Sequence, residues 1–219
     1  MKLKRLTTKL GKAAYPWLTE PDNKFESQRQ NGGQYHVDVI LPAEEGEALA
    51  TELEALFADW LKVRNMEQKE AGKKKLAPFA TKPWGPHVDK SGEETGEWAF
   101  KLKRNAQWTD REGQVRTNVI RLVDSSGTGI TEMEGTVGGG SSIKACFDVR
   151  GWASPLGIGI ALDIVAVMIV ELVKYDGNSD TDFGFASEEG GFTVEEVKQE
   201  AAAPEKKEVQ EGLEGFGDF

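Results

Sequence analysis

The sequence predicts a mainly β protein with one inserted amphipathic helix and a disordered acidic C-terminal tail. Three observations support this prediction. Residues 34–41 (QYHVDVIL) alternate apolar and polar side chains with the period of a half-buried strand, and Pro42 ends the run. Residues 44–70 change to a helical period. After residue 175 the chain turns to Gly, Glu, Ala and Asp with few apolar side chains, too few to offset the entropy cost of folding.

The predicted helix is amphipathic because its apolar residues recur every three or four positions, with Glu and Lys on the opposite face. The apolar stripe consists of Leu49, Leu53, Leu56, Phe57, Trp60, Val63 and Met66. Residues 73–89 then lose any period and contain three prolines, so we predict an exposed loop there. The predicted loop carries Phe79, Trp84 and His87.

Turn sequences mark the remaining strands. The turns DREG, DSSGTG and TVGGGS separate three predicted strands, at residues 97–108, 115–124 and 142–152. Residues 156–173 approach the length of a membrane span, but they are rich in Ile and Val and include two glycines and two carboxylates. We therefore predict a buried strand pair over residues 156–175 instead of a membrane helix.

Five or so long strands with one helix between the early strands favour an OB-like five-stranded Greek-key barrel over a βαβ sheet. We predict an OB-like domain at residues 1–175 and a flexible acidic tail at residues 176–219. The tail holds 13 of the 37 acidic residues but 3 of the 27 basic ones, so it carries the whole net charge of −10. The body is neutral overall, and its cations are free to cluster on one face. The acidic pI of 4.9 therefore does not exclude nucleic-acid binding.

No catalytic site, metal site or cofactor site is predicted. The two histidines, His36 and His87, have no Ser or Cys motif beside them that would complete a nucleophilic triad. Residues 138–140 are glycines without the lysine of a phosphate-binding loop, and residues 176–187 lack the glycine and glutamate of a calcium loop. The lone Cys146 cannot form an intramolecular disulfide and is predicted to be a small buried side chain. Residues 1–12 lack the apolar run of a signal peptide, so we expect a cytoplasmic protein.

Cations and aromatic residues alternate along the predicted strands after residue 97. Trp98, Phe100 and Leu102 share one face of a strand, and Lys101, Lys103 and Asn105 share the other. Such surfaces suit sequence-tolerant binding of single-stranded nucleic acid, because cations follow phosphates and rings stack on bases. An ordinary solvated face with core tryptophans remains the alternative. The predicted contact residues are Lys101, Lys103, Arg104, Trp108, Arg116, Arg121, Lys144, Arg150 and Trp152.

The tail ends in LEGFGDF, where aromatic residues interrupt an acidic segment. Phe219 combines a ring with the terminal carboxylate, and this pair fits a basic, apolar pocket on a partner protein. We predict that Phe216, Asp218 and Phe219 bind partners. A merely solubilising tail is the alternative.

Several segments together resemble the single-stranded-DNA-binding proteins of T-odd podophages and their relatives. They are TKLGKAAYPWLTEPD, YHVDVILP, FKLK, RLVDSSG, GGGSSIK, LGIGIALDIVAVMIVEL and the terminal GDF. The resemblance implies an OB-like barrel that binds single strands, and a tail that recruits the replicative DNA polymerase and the helicase-primase and competes for the DNA groove. Lys101 and Lys103 match cationic positions of the family, and Trp152 matches an aromatic stacking position. Asn105 departs from the family, which has an aromatic residue beside this strand.

The sequence therefore predicts a non-enzymatic protein that coats single-stranded DNA during phage DNA replication, recombination and repair in the host cytoplasm. It needs no cofactor and no membrane, and strand annealing is a further expected activity. The oligomeric state stays open, a homodimer included. Two other classes remain: a protein-interaction scaffold of the replication machinery with incidental DNA contact, and a small nuclease, which would need a carboxylate cluster for metal ions.

Overall fold

The computed structural model describes residues 1–133 and 135–175. These residues form helix α1 (Glu26–Arg29), helix α2 (Ala43–Glu70) and twelve strands. The strands are β1 Lys2–Thr7, β2 Gly11–Asp22, β3 Gln34–Leu41, β4 Trp84–Val88, β5 Glu94–Asn105, β6 Gln107–Thr109, β7 Val115–Thr117, β8 Arg121–Val123, β9 Thr136–Val137, β10 Ser142–Ser154, β11 Gly157–Glu171 and β12 Lys174–Tyr175.

Five strands close into a barrel. β2 pairs with β3, β3 with β5, β5 with β11, β11 with β10, and β10 with β2. Every pairing is antiparallel except that of β5 with β11, which is the strand arrangement of an OB fold. Helix α2 is inserted between β3 and β5. The predicted OB-like five-stranded Greek-key barrel with one inserted helix is confirmed. β1 extends the sheet beside β10, β8 extends it beside β11, and β4 lies beside β5, so these three strands form its edges.

The core lies inside the barrel and under α2, because alternate residues of each strand point inward. On β3 the predicted alternation is confirmed: Val37, Val39 and Leu41 are fully buried. Phe100 on β5 and Phe147 on β10 are the largest side chains with no solvent exposure. Each fully buried side chain of this size contributes about 1.5–3 kcal/mol of transfer free energy.

Helix α2 begins one residue before the predicted helix and ends where predicted. Leu53, Phe57 and Trp60 pack against the barrel, but Val63 and Met66 are largely exposed. Trp60 lies directly on the backbone of β10, where a Cβ atom on Gly151 would come within 2.5 Å of its ring. A glycine is therefore required for this contact between the helix and the barrel.

Three predictions differ from the structure. Residues 157–171 form the single strand β11 and not a strand pair, since no turn signal interrupts them. The predicted loop at 73–89 contains β4, which pairs with β5, and Trp84 in it is buried instead of exposed. Cys146 is half-buried instead of buried. Strands β1 and β2 have no counterpart in the sequence prediction.

The predicted strand at 97–108 is divided into β5 and β6, and the strand at 115–124 into β7 and β8. Both breaks have one cause, which is a contact between Ala106 and Asn118. The Asn118 amide donates to the Ala106 carbonyl at 2.7 Å, and its side-chain amide donates to the Asn105 carbonyl at 2.8 Å. The chain between these points leaves the barrel as the small β6–β7 hairpin.

Three connections repeat one turn sequence, Asp-x-x-Gly-x. In each, an aspartate carboxylate accepts the backbone amides two and four residues later, and the glycine has a positive φ that favours glycine. The Ser126 hydroxyl and the Thr128 amide lower the pKa of Asp124, so its carboxylate stays ionised. The predicted turns DREG and DSSGTG are confirmed. The three turn aspartates are Asp89, Asp110 and Asp124.

Candidate nucleic-acid interface

A row of side chains crosses four neighbouring strands on the outside of the barrel. In register from β2 through β3 and β5 to β11, the row consists of Trp17, His36, Lys103 and Asp163. Their sequence neighbours Leu18, Val37 and Leu102 are buried in the core. Because side chains alternate along a strand, the row faces solvent.

Lys101 and Lys103 are the most available cations of this surface. Both are exposed on β5, on either side of the buried Leu102, as the alternation predicted. Neither ammonium group takes part in an ion pair or a side-chain hydrogen bond with another described residue. Lys101 lies opposite Asp38 of β3, and Lys103 lies opposite His36. Two unpaired cations 2 residues apart on one face can contact successive phosphates.

Of the remaining predicted cations, Arg150 adjoins this row through Asp163, and three others lie elsewhere. Arg150 donates twice to the carboxylate of Asp163, and Arg116 donates from Nε to Asp110 Oδ2 at 2.8 Å, so both charges are partly neutralised. Lys144 and Arg121 are exposed and lie near the opposite end of β11 from the β10–β11 turn. The predicted contact residues thus do not form one cluster.

Arg104 has structural partners. Its guanidinium donates to the Ile164 carbonyl at 3.0 Å and to Asn118 Oδ1 at 2.9 Å. These bonds connect β5 to β11 and to the segment that leads into β8. The geometry favours a role for Arg104 in holding the barrel closed, and its contact with nucleic acid stays a prediction.

The two predicted stacking tryptophans lie on different elements of the structure. Trp152 is half-buried near the β10–β11 turn, edge-on to Phe79 with ring centroids 5.1 Å apart. Its ring covers Gly159, where a Cβ atom would come within 2.3 Å of it. Trp108 is 50% exposed on the β6–β7 hairpin, opposite Arg116. Trp108 is therefore the more open of the two, and Trp152 is the more firmly positioned.

An aromatic group on β2 was not predicted from the sequence. The Trp17 ring lies 6.4 Å from the His36 ring, and Lys24 Nζ lies 4.9 Å from the Trp17 ring centroid. Tyr15, two residues earlier, is 70% exposed. Pro16 obscured the strand, because proline normally argues against a strand interior. The available signal was the combination of two aromatic residues with the apolar alternation around them.

Two carboxylates on this side have pKa values shifted in opposite directions. Burial raises the pKa of Asp38, and the charges of Lys101, His36 and His87 offset it only in part. Burial also acts to raise the pKa of Asp22, but hydrogen bonds from the Lys24 amide and from His36 outweigh it and lower the pKa. Asp22 is therefore a firmly ionised anchor, whereas Asp38 takes up a proton more readily than an ordinary aspartate.

In the described ranges, no group of three His, Cys, Asp or Glu side chains could hold a metal ion. None of the helices in this part of the chain is long and apolar enough to cross a membrane. The predicted partner-binding residues and the rejected calcium loop lie outside the described residues. Those predicted partner-binding residues are Phe216, Asp218 and Phe219.

The closed strand order makes this chain an OB-fold protein, a class that binds oligonucleotides or oligosaccharides on the face of its second and third strands. In this chain those strands are β3 and β5, which carry His36, Lys101 and Lys103. The family model described as "Single-stranded DNA-binding protein, Bacteriophage T7" matches residues 10–172. The chain belongs to this family, and the resemblance drawn from the sequence is confirmed.

Individual relatives agree with this assignment. The chain is 29% identical over 213 residues to the single-stranded DNA-binding protein of Enterobacteria phage T3, covering 90% of this chain and 89% of that protein. The crystal structure of gp2.5, a single-stranded DNA-binding protein encoded by bacteriophage T7, matches with a TM-score of 0.64 at 22% identity, covering 87% of this chain and 98% of that one. The single-stranded DNA-binding protein of bacteriophage Enc34 in complex with ssDNA matches with a TM-score of 0.52 at 13% identity, covering 78% and 88%. Both of these structures share the fold of this chain.

Proposed function

We propose that this protein binds single-stranded DNA with little sequence preference through the outer face of β3 and β5. The observation that supports this most directly is the pair of exposed, unpaired cations Lys101 and Lys103 on the binding face of an OB barrel. Cations on such a face attract phosphates and release counterions, which gives affinity without sequence readout. The proposal also has the support of family membership.

The shape of the surface favours a single strand over a duplex. The face is a curved sheet with rings beside its cations, and rings can stack only on bases that are not already stacked in a helix. The one long helix within residues 1–133 and 135–175, α2, packs against the barrel through its apolar side. Base-specific readout in a major groove is therefore not expected.

A salt titration tests this proposal. The full chain should bind fluorescent oligo(dT) more tightly than duplex of the same length, and the logarithm of its affinity should fall by about 0.7 per neutralised phosphate for each tenfold rise in salt. Replacing Lys103 by Gln should reduce this slope by about that amount. Replacing Lys62 by Gln, on the exposed side of α2, is the matched control and should leave the slope unchanged. Equal affinity for duplex and single strand, or little binding even at low salt, would contradict DNA binding and favour a protein scaffold.

We further propose that the protein acts in phage DNA replication, recombination and repair in the host cytoplasm, promotes strand annealing, and does so without catalysis or a cofactor. Residues 1–175 are the DNA-binding domain in this proposal, and residues 176–219 are the segment that contacts proteins. The net charge of −10 in residues 176–219 supports this division, because an acidic segment is unsuited to holding DNA itself.

The acidic tail is proposed to recruit the replicative DNA polymerase and the helicase-primase, and a homodimer is compatible with the proposal. Deleting Phe219 alone removes the terminal ring and leaves the acidic charge in place, so capture of the polymerase should fall at least severalfold while oligo(dT) affinity changes little. Surface plasmon resonance on immobilised full chain measures both. Replacing Phe219 by Trp, which keeps a ring at the terminus, is the control. Unchanged polymerase capture after the deletion would refute the role of the ring.

A further inference from the structure

Strand β2 contains a strained residue at a β-bulge. Tyr15 has a φ of +49°, and it is the one non-glycine residue with positive φ in the described ranges. The register between β2 and β3 shifts here, between Ala14 and Trp17. A left-handed conformation is unfavourable for a bulky side chain, and such strain persists where the surrounding structure fixes it, often at a binding site. The bulge exposes the Tyr15 ring, which contributes nothing to the core.

The same bulge sets the position of Trp17. Its ring lies on the outer face, tilted by 38° to the His36 ring at a centroid separation of 6.4 Å. Lys24 Nζ lies 4.9 Å from the Trp17 centroid. A tryptophan needed only for packing would point inward, as Leu18 of the same strand does.

Asp22 holds this arrangement in place. Its buried carboxylate accepts the Lys24 backbone amide at 2.9 Å, and His36 Nε2 lies 3.3 Å from Asp22 Oδ2. The Arg29 side chain donates to the Asn23 carbonyl at 2.9 Å and fixes the same turn. The rings and the ammonium group are thus positioned before any ligand binds, which lowers the entropy cost of binding.

We propose that Tyr15, Trp17 and His36 form a base-stacking subsite on β2 and β3, and that Lys24 contacts the adjoining phosphate. The inference rests on the proposed binding of single-stranded DNA and extends its path across the sheet. Trp17 lies two strands from Lys103, a separation of about 10 Å. A single strand that crosses the sheet can therefore place a phosphate at Lys103 and a base on Trp17.

Stacking is tested by removing the bases from the DNA strand as well as the Trp17 ring from the protein. The full chain is titrated with fluorescent oligo(dT) and with an abasic strand of equal length. Replacing Trp17 by Ala should weaken oligo(dT) binding about tenfold and leave abasic binding almost unchanged, because a ring without a base has nothing to stack on. Replacing Trp17 by Phe should recover most of the loss. Replacing Lys103 by Gln should weaken both strands equally, since both carry phosphates.

A second variant separates binding from stability. Asparagine accepts a left-handed φ, so replacing Tyr15 by Asn should keep or raise the thermal midpoint while it weakens oligo(dT) binding severalfold. If Tyr15 had only a structural role, the substitution would lower the thermal midpoint and leave the oligo(dT) affinity unchanged. Replacing Phe25 by Asn is the matched control, because Phe25 is an exposed aromatic residue outside the proposed subsite.

Each outcome of these measurements has a defined meaning. Equal losses on oligo(dT) and the abasic strand for the Trp17→Ala variant would overturn the subsite, and so would unchanged oligo(dT) affinity of the Tyr15→Asn variant. In both cases the proposed function stands if oligo(dT) binding still depends on Lys103. No binding of oligo(dT) by the unmodified chain would overturn the proposed function, and the subsite with it.

Discussion

Reversing both charges on β5, with Lys101→Glu and Lys103→Glu together, should lower the affinity for oligo(dT) at low salt by roughly a thousandfold. An ion pair at about 4 Å contributes about 1 kcal/mol in water, so replacing two attractions by two repulsions costs about 4 kcal/mol. Both side chains are exposed and neither forms an ion pair with another described residue, although Lys101 interacts through its charge with Asp38 on the neighbouring strand. Fluorescence anisotropy at constant ionic strength measures the change.

A control with the same net charge shows whether the position of the two lysines matters. Lys62 lies on the exposed side of α2, and Lys90 lies in the turn between β4 and β5. The Lys62→Glu and Lys90→Glu pair changes the net charge equally and should weaken binding far less. An equal loss in both double variants would show that net charge, and not the β3–β5 face, controls affinity. The β5 variant should remain folded, with a cost of about 0.2–1 kcal/mol for the glutamate opposite Asp38.

Replacing Phe100 by Ala should lower the free energy of unfolding by about 3–5 kcal/mol. Phe100 is fully buried on β5, in register with Val39 of β3 and with Trp84 of β4. Removing its ring therefore leaves a cavity, which could close only if these three strands moved together. Urea denaturation measures the loss, with the m-value as a check that the same surface unfolds. In conditions where the variant is folded, its oligo(dT) affinity should stay within about twofold, because side chain 100 points away from the binding face.

The control for this stability prediction is Val88→Ala on β4, where the side chain is 49% exposed. That substitution should change the free energy of unfolding by about 0.5 kcal/mol or less. A small effect of Phe100→Ala would contradict the description of the core. A large loss of DNA affinity in the folded variant would show that the inner and outer faces of β5 are not independent.

The parts of the fold that were predictable depend on local periodicity. The alternation in residues 34–41 and the helical stripe of residues 44–70 specify β3 and α2 almost to the residue, since each pattern is complete within one segment. The same holds for the outward direction of Lys101 and Lys103 on β5. These features require no knowledge of which strands are neighbours.

The parts that were missed depend on contacts between distant segments. Arg104 reaches the carbonyl of Ile164, 60 residues away, and nothing near Arg104 in the sequence indicates that partner. The row from Trp17 to Lys103 exists only because β2, β3 and β5 are adjacent and in one register. Pro16 and the strain at Tyr15 further conceal β2, because the local signal there opposes the structure that tertiary pairing selects.

Strand β1 at the edge of the sheet has a consequence for solubility. An edge strand presents unpaired backbone groups on which a second chain can add a strand, and this is a common start of aggregation. β1 is six residues long, and its cations Lys2, Lys4 and Arg5 form ion pairs with Asp148, Glu52 and Asp148, so this edge carries the charged side chains that discourage strand addition. A second edge strand, β8, is three residues long and begins with Arg121, and the third, β4, contains Pro86. Short length, charged side chains and a proline at these edges therefore disfavour strand addition between copies of the protein.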